Sequence, residues 1–204
     1  MDSTEKSPIE PSPSDSAGHS YSYKPSLMGG PWEFHLTPDA IEWQAGRRSG
    51  RIHYRDIRRT RLSFRPVTMQ TYRFLAEIWP AEGPKITIAS SSWKSMFEQE
   101  RLDAAYAVFI TELHQRVAAA NPPARFETGS PPLIYWPGFA LFAMVSSALA
   151  ALIVRGLKVE AWEGTAFIAA FLAVFLWQAG TFFRRNRPGV YSPGQLPENV
   201  LPSR

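Results

Sequence analysis

Three hydrophobic periods succeed one another along the chain. From Trp32 the apolar positions alternate with polar ones: Trp32, Phe34 and Leu36 interleave with Glu33 and His35. After a Thr37-Pro38-Asp39 turn, Ile41 and Trp43 interleave with Glu42 and Gln44. A two-residue repeat broken by turn residues predicts a hairpin of half-buried strands. Past Gly46 to Gly50, Ile52 and Tyr54 continue the alternation, and Ile57, Leu62 and Phe64 mark a strand after Asp56. Thr71 to Trp79 and Lys85 to Ala89 add two more, separated by the Pro80 to Pro84 turn.

The period then lengthens. Leu102, Tyr106, Phe109, Ile110, Leu113 and Val117 recur at helical spacing, opposite Arg101, Asp103, Glu112, Gln115 and Arg116. This predicts one amphipathic helix of about twenty residues. Asn121-Pro122-Pro123 stops it, because proline bars its predecessor from helical geometry. Ser90, Ser91 and Ser92 are expected to form the strand-to-helix turn, one of them or Ser95 capping a helix that begins near Trp93. About six short antiparallel strands followed by a helix predict an α+β domain, a curled sheet closed by the helix stripe.

Beyond it the periodicity vanishes. Leu133 to Val154 contains no Asp, Glu, Lys, Arg or His, and Thr165 to Phe183 has Gln178 as its one strongly polar side chain. Roughly twenty apolar residues match a ~30 Å hydrocarbon core, and lipid admits only backbone whose hydrogen bonds close internally. Two membrane-spanning helices are expected, turned by residues 155–164. The expected organisation is a Ser/Pro-rich disordered tail over 1–30, a cytoplasmic domain over 31–120 and a linker over 121–132. The spans follow at 133–154 and 165–183, then a basic, proline-spaced tail over 184–204. That tail either crosses the domain through Tyr191, Leu196, Val200 and Leu201 or stays disordered. Ala143, Ser147 and Ala151, four residues apart, either let the spans approach closely or are plain filler.

Charge orients the hairpin. Arg116, Arg125, Arg184, Arg185 and Arg187 flank it outside, against Arg155 and Lys158 between the spans. The positive-inside bias puts both termini in the cytoplasm. Tyr135, Trp136 and Trp162 suit interfacial depth, and Arg184, Arg185 and Arg187 suit anchoring at headgroups. The polar start has no cleavable-signal pattern, so the first span is expected to act as its own insertion signal.

The 204 residues carry 22 Lys and Arg against 18 Asp and Glu, a formal charge of +4, and no cysteine. Disulfides, thiolate catalysis and cysteine-based zinc sites are thereby excluded. Basic residues gather as Arg47, Arg48, Arg51, Arg55, Arg58, Arg59, Arg61, Arg65 and Arg73, interrupted by Asp56 alone among acids. Alternation sets Arg51 and Arg55 on the face of His53, away from Ile52 and Tyr54. Arg47, Arg48, Arg51, Arg55, Arg58 and Arg59 are the expected contacts to an anionic surface, a solvated strand face being the plain alternative. Nucleic acid is a poor fit, since Tyr54, Phe64 and Tyr72 fall on the core side and leave no stacking platform.

The stretch WEFHLTPDAIEWQAGRRSGRIHYRDI and the helix AYAVFITELHQR resemble the pleckstrin-homology superfold, in the form of bacterial PH-like domains joined to membrane spans. The resemblance covers about Trp32 to Val117 and implies six to seven strands capped by one helix. It departs at Thr37, Pro38 and Asp39, where lipid-binding relatives are basic, and the tryptophan usual in the final helix is replaced by Tyr106 or Phe109. Inositol-phosphate recognition therefore does not transfer.

Chemical motifs are sparse. His35 and His53 project outward to where they could meet across neighbouring strands with Glu33, short of the three or four ligands a metal needs. Ser90 to Ser92 lack an oriented base and a sharp nucleophile turn. No Walker loop or GxGxxG occurs, and no cofactor is called for. The expected role is non-catalytic, an inner-membrane protein whose PH-like module binds a protein partner or the anionic leaflet. Homo-oligomers are compatible with it. The competing reading is a membrane enzyme, or a subunit of one, acting on lipid or envelope substrates.

Overall fold

A computed structural model describes residues 20–66, 72–95 and 98–202. Strands β1 (Ser20–Tyr23), β2 (Trp32–Leu36), β3 (Ala40–Ala45) and β4 (Arg48–His53) form an antiparallel meander in that order. The Thr37 turn holds β2 to β3: Thr37 N donates to Ala40 O at 2.9 Å, and Thr37 Oγ1 accepts from Ala40 N at 3.1 Å. A 3-10 turn, Tyr54–Asp56, leads into the second sheet. There β5 (Ile57–Pro66), β6 (Tyr72–Pro80) and β7 (Ile86–Ala89) are antiparallel neighbours.

The core lies between the sheets. Phe34, Leu36 and Ile41 face Ile57, Leu62, Phe74, Ile78 and Ile88, and all are buried. Helix α1 (Asp103–Ala120) closes the open side with Tyr106, Phe109, Ile110, Leu113 and Val117, each fully buried. Phe109 meets Tyr21 at 5.5 Å and Phe34 at 6.4 Å between ring centroids. Burial of each such side chain contributes roughly 1.5–3 kcal/mol. The expected polar back of this helix is not found. Ala104, Ala105, Val108, Ala119 and Ala120 occupy much of the exposed side, so it is a helix with one buried stripe and a largely non-polar outer face.

Three expectations are corrected. Residues 20–23 belong to the domain: Tyr21 and Tyr23 are buried, and their hydroxyls donate to Ala89 O and Thr87 O on the edge of β7. Of the rest of the expected tail, 24–30 is described as irregular chain, and 1–19 lies outside the described residues. Ser91–Trp93 is no helix start but strand β8, paired with β9 (Gln99–Arg101), and Ser90 Oγ accepts from Phe74 N. The span expected as linker contains β10 (Arg125–Thr128), parallel to β5. Asn121 donates to Arg55 O and Ile57 O, so α1 ends beside the start of β5. A chain leaving there in extended form runs alongside β5 in the same direction. Of the two courses left open for the segment after the hairpin, it takes the one across the domain: β11 (Gly189–Val190) pairs with β10, and Val200 is fully buried.

Helices α2 (Pro132–Lys158) and α3 (Trp162–Arg185) are long and apolar enough to cross a membrane, and the rest of the protein buries neither. The turn between them is only residues 159–161, because charge at Arg155 and Lys158 does not interrupt backbone hydrogen bonding. Their seam repeats at three and four residues: Tyr135, Gly138, Phe142, Val145, Leu149, Ile153 and Gly156 against Thr165, Ile168, Leu172, Phe175, Ala179 and Phe183. That spacing gives the shallow crossing of antiparallel helix pairs. Ala143, Ser147 and Ala151 are exposed on the side away from α3, so they do not mediate the approach. Aromatic rings do, with Phe142 at 5.3 Å from Phe175 and 5.1 Å from Phe183. At the turn a Cβ on Gly156 would overlap Thr165 Oγ1, so only glycine fits there.

Candidate functional site

The six arginines expected to share one surface fall in four places. Arg47 and Arg48 are exposed at the β3–β4 turn. Arg51 lies on the outer face of the first sheet, where Nη2 donates to Asp39 Oδ1 at 2.7 Å and Nη1 is 3.7 Å from Glu42 Oε1. Its charge is compensated there, and its hydrogen bond holds Asp39 below the usual carboxylate range. Arg55 lies in the 3-10 turn, which ends the strand alternation that was to align it with Arg51. Arg58 and Arg59 follow on β5, where a bulge separates Ile57 from Arg59. His35 and His53 do not meet: Ser20 Oγ is 3.0 Å from His35 Nδ1, while His53 Nδ1 is 3.1 Å from Asp39 Oδ2.

A shallow groove of about 440 Å³ crosses the first sheet over Glu33, His35, Glu42, Gln44, Ser49 and Arg51. Acidic and basic groups alternate in it, so it has no dominant sign.

The second sheet carries a more organised cluster. Alternation along β5 and β6 sets Arg59, Arg61, Glu77 and Trp79 on its outer face, and Arg59 is directly opposite Trp79. The Arg59 guanidinium stacks 4.0 Å from the Trp79 ring centre, with Arg61 at 5.3 Å and Lys85 at 5.4 Å. Two acids organise the cations: Glu127 on β10 takes Arg61 at 2.6 Å and lies 3.8 Å from Arg59, and Glu77 takes Lys85 at 2.5 Å. Arg125 stands beside Arg59 in the parallel pairing. Among the described residues Arg55, Arg58 and Arg125 make no ion pair, so this end of the sheet has a cationic surplus around a tryptophan face. Sequence reasoning missed Trp79 and Lys85. The signal available was one tryptophan at the end of a strand whose neighbour is arginine-rich.

The opposite end of the same sheet is a joint with the hairpin. Asn186, just past α3, is 1% exposed. Its Oδ1 accepts from Phe64 N at 3.1 Å, its Nδ2 donates to Phe182 O at 3.2 Å, and its carbonyl accepts from Ser130 N at 3.0 Å. Gly129, with φ +78°, donates to Leu62 O at 2.8 Å. A Cβ there would overlap the carbonyl oxygens of Asn186 and Arg187. Arg185 lies 4.7 Å over Phe64 and 5.9 Å from the Tyr72 ring, and Arg101 covers Tyr72 at 4.3 Å. Of the expected interfacial anchors, Arg184 and Arg187 are exposed beside this joint, and Trp136 and Trp162 are exposed on α2 and α3. Tyr135 instead turns inward, its hydroxyl donating to Phe183 O at 3.2 Å.

Between the two ends, His114 is buried in α1. Its Nδ1 sits 2.7 Å from Ile110 O and must carry the proton, which leaves Nε2 to accept from the Tyr191 hydroxyl at 2.7 Å. Burial pushes its pKa down to about 4. The segment after the hairpin is thus tied to α1.

Searches against known protein families, curated proteins and solved structures find no match to this chain.

Proposed function

We propose that this protein is an integral protein of a bacterial-type inner membrane, both termini cytoplasmic, whose PH-like module is non-catalytic and binds a protein partner. The hairpin anchors it, and the partner meets the Arg58, Arg59, Trp79 and Arg125 end of the second sheet. The supporting observation is the position of that end along β5. Phe64 is bonded to Asn186 at the hairpin, whereas Arg58 is six residues earlier on the same strand. At about 3.3 Å per residue this is roughly 20 Å. That is more than two screening lengths at physiological salt, about 8 Å each, so a leaflet at the joint acts weakly on Arg58. A cationic surplus around a half-buried indole that Arg59 covers suits a partner surface that offers carboxylates.

The absence of cysteine makes any introduced cysteine unique. Fluorophores at Arg58→Cys and Arg65→Cys, in full-length protein reconstituted with nitroxide-bearing lipid, test the arrangement. Strong quenching at 65 and little at 58 is expected, and equal quenching refutes it. A photo-crosslinker at position 79 in native membranes should then give polypeptide adducts that weaken with salt. Lipid adducts alone would reject the partner reading.

A further inference from the structure

The joint pairs two arginines that nothing in the described structure neutralises. Arg65 and Arg73 stand directly opposite each other across the β5–β6 ladder. Side chains so placed start about 5 Å apart on one face, and like charges there repel. Among the described residues neither makes an ion pair, and Arg73 Nε is buried without a hydrogen-bond acceptor. A buried guanidinium proton with no acceptor is costly, and an oxyanion between the two groups removes both costs at once.

Position says which anion. Arg65 follows Phe64, whose amide is bonded to Asn186 one residue beyond the end of α3. If α3 ends at the bilayer surface, Arg65 and Arg73 lie at headgroup depth. Arg184 and Arg187 are exposed on the same helix end.

We propose that Arg65 and Arg73 together seat the phosphate of an anionic phospholipid headgroup at the joint. The site locks the sheet against the leaflet and leaves the Trp79 end free, so it rests on the membrane reading but not on the partner. It is also distinct from Arg47, Arg48, Arg51, Arg55, Arg58 and Arg59, which lie elsewhere in the fold.

The test is native mass spectrometry of the full chain released from nanodiscs of mixed phosphatidylglycerol and phosphatidylcholine. Retention of phosphatidylglycerol over phosphatidylcholine is expected. Arg65→Gln with Arg73→Gln should lower that preference by about fivefold per lost contact, while Arg47→Gln with Arg48→Gln leaves it unchanged. Equal retention of both lipids by the unmodified protein overturns the proposal even should the double variant fail to fold. So does displacement of the lipid by millimolar inorganic phosphate, which would make the site one for free phosphate. A chain that stays soluble without detergent defeats the membrane reading itself, an outcome separate from these.

Discussion

The two ends of the second sheet are built on opposite principles. At the Asn186 end, backbone groups are paired inside a closed space, and a glycine is present because a side chain would strike two carbonyl oxygens. At the Trp79 end, Arg59 and Lys85 reach over one indole from partly exposed positions, on long flexible arms tied to Glu127 and Glu77. Buried, geometrically determined contacts fail abruptly when altered. Exposed charged contacts yield little stability and retain freedom to exchange partners. The joint is fixed by its packing, and the tryptophan end, on the function proposed above, is where a partner docks.

The largest blow to the contrast comes from Gly129→Val. It forces a β-branched residue into positive φ against backbone, and a loss of about 3 kcal/mol or more is expected. Thermal melting in detergent measures it, and near-wild-type stability would mean the joint is loose.

Acid should act almost as strongly, through His114. Its pKa is lowered to about 4 in the folded chain from an ordinary 6.5, so the unfolded chain binds a proton that the folded one refuses. The stabilisation is complete above pH 6.5 and drains away as pH falls towards 4, by about 3 kcal/mol in all. Denaturant titrations across that window should show the loss, and His114→Gln should flatten it. Cysteine labels at both ends of the sheet would show whether the ends unfold together.

A smaller effect is expected from Asn186→Ala, which strands the Phe64 amide and costs about 1–3 kcal/mol. Faster hydrogen exchange at Phe64, with none at Trp79, would localise the damage.

Smallest of all, Arg59→Ala should change stability by less than about 1 kcal/mol. A crosslinked partner should nevertheless be lost. A large destabilisation would show that the tryptophan cluster is structural instead.

Much of the core was legible in the residues. Phe34, Leu36, Ile41, Ile57, Leu62 and Phe64 were picked out by alternation, and Tyr106, Phe109, Ile110, Leu113 and Val117 by helical spacing; all are buried. Strand β1 was hidden because SYSY offers four residues in a polar neighbourhood, although its two tyrosines alternate. Strand β10 was hidden because RFET has a single apolar residue, and its place depends on β5, more than sixty residues earlier. The arginines were countable, but not their grouping. A 3-10 turn and a bulge each break the two-residue repeat that was used to align them.

What the residues determine unaided is the additive part. Apolar side chains summed over twenty positions set the character of α2 and α3, and a local repeat sets which faces of strands and helix turn inward. Pairing decided the rest: the direction of β10, the return of the chain to bury Val200, the seam of aromatic rings rather than small residues, and the separation of Arg58 from Arg65 by a strand's length. Each of these depends on which distant segment lies alongside, a choice made by the energy of the whole packed arrangement and not by any short window of sequence.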